Sequence, residues 1–389
     1  MGHSERLAYM LYFRLWKVCG AFLLVCLCMA TLADSLRGEE ASTTWSKLQP
    51  YFTPPAQYAE QYSELGDPLK FADGSRVKTA EDWTRRRAEI LKIWTDLMGE
   101  WPAVIEHPKV DILESTHREN FTQKHVVLEI APRQSGKAYL LVPDGPGPFP
   151  AMVAPYYEPE TSVGLGKQPL RDFAYQLTRR GFVTLSLGSP DGDARKPLLD
   201  GQTRCQPLSY LGYVAANAWQ ALASMPEVDA KRIGIVGHSY GGKWAMFGAC
   251  LWNKYACGVW SDPGVQFDEA RANVNYWEPW YLGADANVKH RPGLITPDNP
   301  RTGAYRALVQ GHHDLPELQA LMAPRPMLVS GGSEDTPERW KALNHLRAVN
   351  HLLGYEDRVG MTNRKAHPPT EESNAVIYAF FEYWLKERS

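Results

Sequence analysis

"RIGIVGHSYGGKWAMFG", residues 232–248, decides the fold. An apolar run through Ile233, Ile235 and Val236 breaks into Gly237-His238-Ser239-Tyr240-Gly241-Gly242, and a new apolar run follows from Trp244. The pattern reads as strand, sharp turn, helix. A G-x-S-x-G sequence is weak alone, but between a strand and a helix it is the setting in which a serine is pushed out of the sheet as a nucleophile. Such a serine sits in a strained backbone conformation, so small residues are needed at both flanks, here Gly237 and Gly241. The plainer alternative is a serine that only caps the helix.

Either side of this stretch the chain alternates strands and helices. "HVVLEIAP", "KAYLLVPD" and "FPAMVAPYY" read as strands between turn residues, and "LRDFAYQLTRRGFVTLSLGSP" as helix, stop at Gly181, strand. The first clear helix is "TAEDWTRRRAEILKIWTDLMGEWP", with Thr79 as its cap, Trp83, Ile90, Trp94 and Leu97 at helical spacing, and Gly99 and Pro102 as its stop. "LMAPRPMLVSGG", "RWKALNHLRAVNHLLG" and "NAVIYAFFEYWLKE" supply a late strand and two helices. The alternation predicts an α/β fold: a mostly parallel central sheet with helices on both faces. Periodicity fails from Phe267 to about Asp314, a stretch too long and Pro-rich for a connector, so an insertion or lid is predicted over residues 267–314.

The chain has 389 residues, enough for one large domain with a full core. A formal charge of −2 offers no basic face, so no nucleic-acid partner is expected. The 13 Trp and 19 Tyr suit either a core or an aromatic-lined cleft. Arg6, Arg14 and Lys17 precede the apolar run "VCGAFLLVCLCMATLA", which ends in small residues before Asp34. This describes a secretory signal peptide over 1–33, and hence a secreted or periplasmic protein with no stable membrane insertion after its removal; an uncleaved anchor is the alternative. Residues 34–78 are expected to wrap the surface and 79–389 to form the catalytic domain. Cys205, Cys250 and Cys257 read as buried small hydrophobes, with Cys250–Cys257 the nearest pair for a bridge. No Cys/His spacing suggests a metal site.

A serine hydroxyl needs a base, and the base an acid that fixes its tautomer. On this scaffold the acid and then the histidine follow the serine along the chain. His367, in "TNRKAHPPTEES", lies between the last strand and the final helix, where the base belongs. His345 and His351 fall on a helix and are expected to be partly exposed. Asp335, just past a strand in "LVSGGSED", is the favoured acid; Asp262, ending a strand in "GVWSDPG", is second, and Glu334 third. The oxyanion donors are expected to be the backbone N–H of Tyr240 and one near Tyr157.

These residues resemble the α/β-hydrolase superfamily from about residue 75 onward. Within it, the helix "EDWTRRRAEILKIWTDLMGEWP" and the strand entry "ELQALMAPRPMLVSGG" are similar to those of secreted carbohydrate esterases, above all glucuronoyl esterases, with the acetyl xylan esterase and dienelactone hydrolase-like groups beside them. Glucuronoyl esterases carry G-C-S-R-x-G-K; here G-H-S-Y-G-G-K keeps the lysine as Lys243 and replaces the arginine by Tyr240. Asp262 also falls 23 residues after the serine, where some of those enzymes place their acid. Their histidine-glycine after the oxyanion strand is Tyr156-Tyr157 here. The resemblance implies a serine esterase without cofactor or metal, acting on a small-molecule or polysaccharide ester such as an acetyl or uronic-acid ester. Lys243 would contact the sugar, unless it is a solvated residue on the first helical turn. Tyr276, Trp277, Trp280 and Tyr281 in the insertion would form a sugar-stacking wall, Trp277 and Trp280 as substrate-binding residues; the plainer alternative is that they pack the lid. Prolyl-oligopeptidase peptidases share the catalytic domain, but the segment 34–78 is too short for their propeller. A non-catalytic carbohydrate-binding protein with a retained hydrolase fold is the other alternative.

Overall fold

The computed structural model describes residues 43–190, 205–271, 276–291 and 293–388. The signal peptide expected over 1–33 lies outside the described residues. Among them, no helix is long and apolar enough to cross a membrane.

Helix α1 (Ala80–Met98) starts where the sequence places it. The Thr79 side chain accepts from the Asp82 N–H, the Asp82 carboxylate accepts from the Thr79 N–H, and Gly99 at φ 88° ends the helix. Its buried stripe is Trp83, Arg86, Ile90, Trp94 and Met98. The stripe contains a cation because Glu317 waits opposite: its carboxylate pairs with Arg86 and accepts from Trp94 Nε1 at 3.1 Å and His313 Nδ1 at 2.7 Å. A buried carboxylate with three donors is the condition under which charge is tolerated inside.

A nine-stranded sheet follows, in the order β1-β2-β3-β5-β4-β6-β7-β8-β9. Strands β1 (Val110–Arg118), β2 (Phe121–Ala131), β3 (Gln134–Pro143) and β5 (Val183–Leu187) pair antiparallel in turn. From β5 onward, β4 (Phe149–Pro155), β6 (Val228–His238), β7 (Cys257–Ser261), β8 (Met327–Gly331) and β9 (Val359–Asn363) pair in parallel. The mostly parallel α/β sheet expected from the sequence is therefore present. Strand β1 was not foreseen: "VDILESTHR" is solvated over almost its whole length and held by β2 alone, so it carries no apolar alternation.

Helices α2 (Phe173–Arg179), α3 (Pro207–Ala223), α4 (Tyr240–Leu251), α5 (Gly303–Gln310), α6 (Leu315–Ala320), α7 (Trp340–Leu352) and α8 (Glu371–Glu382) surround the sheet. Every residue of α4 from Tyr240 to Cys250 is buried, so the helix behind Ser239 is fixed on all sides. Residues ahead of α1 run along α7 and α8: Phe52 stacks on Phe380 at 6.3 Å, and Asn344 Nδ2 donates to the Tyr58 and Gln61 carbonyls at 2.7 and 2.8 Å. His345 donates from Nε2 to the Ser63 carbonyl at 2.9 Å and is buried, not partly exposed; the early segment covers it. His351 is exposed. The three cysteines are unbridged and buried, and burial pushes the Cys250 thiol up to about 12.

Within the predicted insertion, α5 is the one helix among the described residues. The insertion closes at Asp314, whose carboxylate accepts from the Leu315 and Phe267 N–H groups at 2.6 and 2.8 Å. Burial pushes Asp314 up to about 7. Its folded value lies above the ordinary 3.8 of the unfolded chain, so its contribution to stability is complete at low pH and is lost as pH rises through about 7. Asp314→Asn keeps the accepting oxygen without the charge. The variant's melting temperature is therefore expected to gain on the wild type by about 2 °C or more between pH 5 and pH 8. A variant melting temperature that stays level with or falls against the wild type's over that range in paired melts would contradict it.

Candidate active site

The parallel strands all end on one edge of the sheet, and the turns leaving that edge carry Tyr157 after β4, Ser239 after β6, Asp262 after β7, Asp335 after β8 and His367 after β9. Residues scattered over the chain meet because a parallel sheet delivers its C-terminal ends together.

Ser239 has φ 55° and ψ −116°, makes no side-chain cap to α4, and is anchored by its own N–H to the Ser261 carbonyl at 2.8 Å. The capping alternative is thereby excluded. A non-glycine residue held there costs on the order of 1–3 kcal/mol. The flanking glycines are sterically required: a Cβ on Gly237 would lie 2.1 Å from the Gly241 carbonyl oxygen, and one on Gly241 would lie 2.2 Å from that of Pro155.

His367 Nδ1 lies 2.7 Å from Asp262 Oδ2. Because a carboxylate accepts, Nδ1 carries the proton, and in the neutral ring that leaves the lone pair on Nε2. Asp262 is fully buried, and its Oδ1 accepts from the N–H groups of Gly332, Glu334 and Asp335 at 2.6, 3.1 and 2.9 Å. Asp335, favoured from the sequence, does not reach His367. Its two oxygens accept from the Gly264 and Val265 N–H groups at 2.8 and 2.7 Å. Each aspartate thus holds the turn that carries the other. Burial first, and the neighbouring Asp262 second, push Asp335 up to about 6. Glu334 is turned away, onto Arg271 at 3.1 Å.

Behind His367 lies His238, ring centroids 4.6 Å apart. Its Nδ1 is 3.1 Å from both the carbonyl and the hydroxyl of Ser261, and burial holds it well below the usual histidine range, so it is neutral. In front of Ser239 stands Tyr157. Its phenol lies beside the Ser239 side chain, and its ring stacks on Tyr240 at 4.7 Å. Burial raises the phenol, which therefore stays protonated through neutral pH.

Lys243 is not a solvated residue. It is buried, donates from Nζ to the Pro263 carbonyl, and lies 5.0 and 5.5 Å from the rings of Tyr276 and Tyr281. Burial lowers it to about 8 against the pull of Asp335, Glu334 and Asp262. Its observed contact braces the turn after Asp262. Trp277 is also misplaced by the sequence reading: it is buried inside the insertion, against Tyr305, with Nε1 on the Gly293 carbonyl at 3.2 Å. Trp280 is half-buried beside Tyr281 at 5.9 Å. Arg364, unnoticed in the sequence, donates to the His367 carbonyl at 2.6 Å.

The sheet order, the strained serine after β6 and the histidine after the last strand define an α/β-hydrolase fold. No family model matches the chain. It is similar to a 4-O-methyl-glucuronoyl methylesterase of Thermothelomyces thermophilus, 25% identical over 291 residues, a match spanning 69% of this chain and 66% of that protein. Among solved structures it is similar to a glucuronoyl esterase from Solibacter usitatus, with TM-score 0.63 and 17% identity over 84% of this chain and 99% of that one. A putative acetyl xylan esterase from Bacteroides fragilis gives TM-score 0.51 and 16% identity over 80% and 86%. In sequence and in structure the chain thus resembles carbohydrate esterases of the α/β-hydrolase fold.

Proposed function

We propose that the protein is a serine esterase cleaving a carboxylic ester on a carbohydrate, a uronic-acid ester first and an acetyl ester second. The observation that carries this reading is the 2.7 Å contact of His367 Nδ1 with buried Asp262, on the same sheet edge as the strained Ser239. Similarity to the glucuronoyl methylesterase supports the acyl class.

In this mechanism His367 Nε2 takes the Ser239 proton as Oγ attacks the ester carbonyl. The tetrahedral oxyanion is met by the Tyr240 N–H at the start of α4 and by a donor near Tyr157. The alcohol leaves with the proton from His367, giving an acyl-enzyme. Water, deprotonated by the same nitrogen, then releases the acid and restores Ser239. Asp262 holds the tautomer and stabilises the imidazolium, while Asp335 holds the turn that carries Asp262. Trp280, with Tyr281, is the aromatic pair of the insertion assigned to the sugar, and Lys243 supports the wall beneath it. Residues 1–33 would direct the chain out of the cytoplasm and leave it.

The test is a substrate panel on purified protein: a methyl ester of a glucuronoside, acetylated xylan and an aminoacyl-anilide, with fluorophosphonate labelling alongside. Labelling with ester turnover, highest on the uronate ester, is expected. Dominant anilide cleavage would replace the reading by a peptidase. An unlabelled, folded protein whose sugar binding survives Ser239→Ala would replace it by a binding protein.

A further inference from the structure

Arg364 lies three residues before His367, in the turn "TNRKAHPP" between β9 and α8. Its guanidinium meets oxygen on every nitrogen. Nε donates to the Pro368 carbonyl at 2.8 Å; Nη1 to the Ser330 carbonyl at 2.7 Å, the Ser330 hydroxyl at 3.1 Å and the Gly331 carbonyl at 3.2 Å; Nη2 to the His367 carbonyl at 2.6 Å and the Ser261 hydroxyl at 3.2 Å. The Arg364 N–H also donates to the Gly331 carbonyl at 3.0 Å. Among the described residues no carboxylate pairs with it directly.

All of these acceptors belong to three pieces of chain. His367 and Pro368 form the histidine's own turn. Ser330 and Gly331 end β8 and directly precede Gly332, which donates to Asp262. Ser261 ends β7, directly precedes Asp262, and shares its hydroxyl with His238. The fork therefore ties the backbone that bears the base to the two strand ends that bear and hold its acid. A half-buried arginine without a carboxylate gives up part of its solvation, and a planar fork returns it only when several oxygens are placed for it at once. Lysine offers a point charge and three donors and cannot span the three pieces.

We infer that Arg364 is a positioning residue of the hydrolytic site: its fork sets His367 at the distance at which Nδ1 meets Asp262. The inference rests on the proposed roles of Ser239 and His367. A misplacement of about 1 Å in such a group can cost about 100-fold in rate.

The experiment compares wild type, Arg364→Gln, Arg364→Lys and the exposed neighbour Lys365→Gln. It reads kcat and KM on an activated ester, the rate of fluorophosphonate labelling, and the downfield proton resonance of the Nδ1–H held by Asp262. Arg364→Gln should lower kcat and the labelling rate together by about 100-fold, leave KM within about threefold, and broaden or shift the resonance. Arg364→Lys should fall between, and Lys365→Gln should match wild type. Unchanged kcat and labelling in folded Arg364→Gln, or a rise in KM alone, overturns the inference. Should neither arginine variant fold, Ser261→Ala takes one acceptor from the fork; a several-fold fall in kcat supports the inference and an unchanged kcat refutes it. A wild type that resists the probe would instead sink the reading of Ser239 itself.

Discussion

Ser239→Ala is expected to lower kcat for ester hydrolysis by about 10⁶-fold while leaving the melting temperature within about 2 °C of the wild type. The two halves of this expectation have separate causes. The hydroxyl is the only atom removed, and it is the atom that forms the acyl-enzyme. The strain at φ 55° belongs to any residue with a Cβ, so alanine inherits it; the anchoring N–H to the Ser261 carbonyl is also kept. The hydroxyl supports no helix cap, so nothing in the fold depends on it beyond its contact with the Tyr157 phenol. Steady-state kinetics and a thermal melt on the same sample decide the matter. Retention of more than about one hundredth of the activity would mean that another group attacks the ester, a far smaller loss than removing the nucleophile causes in such triads.

Asp262→Asn is the second large effect, expected at about 10⁴-fold in kcat with KM little changed. Three N–H groups converge on Oδ1, so the amide of the variant must keep its oxygen there and turn its NH₂ toward His367. That NH₂ can only donate. Nδ1 then becomes the acceptor, the ring proton moves to Nε2, and the nitrogen that should receive the serine proton already carries one. Asp335→Asn acts differently, since one of its two accepting oxygens becomes a donor facing an N–H. The cost is stability, on the order of 1–3 kcal/mol, and in the folded fraction kcat should fall by no more than about tenfold. Comparable losses in the two variants would return the acid's role to both residues.

The confusion between these aspartates in the sequence has a physical origin. Both lie in turns that follow neighbouring parallel strands, both are buried, and each accepts backbone N–H groups from the other's turn. Spacing along the chain cannot say which carboxylate faces the histidine turn, because that depends on how two loops lean together. The serine turn was legible for the opposite reason: its geometry leaves no room for a side chain at Gly237 or Gly241, so the constraint is written in residue type. Helix α1 was legible from its cap and stripe, whereas β1, solvated along its length, had no pattern to show. Trp277 and Trp280 are three residues apart in one aromatic stretch; composition cannot tell a ring that fills the insertion from one that borders it. Lys243 carried a similar ambiguity, since the carbonyl and the two rings that enclose it come from sequence 20 or more residues away.

The mutual hold of Asp262 and Asp335 makes the turns after β7 and β8 heritable only as a unit. A lineage moving its acid from one strand end to the next could not do so by a single replacement, because the first step would take the acceptor away from the N–H groups of the loop that carries the new acid. Strong epistasis between the two positions follows, and a loop graft that imports one turn from a related enzyme should fail unless the other travels with it.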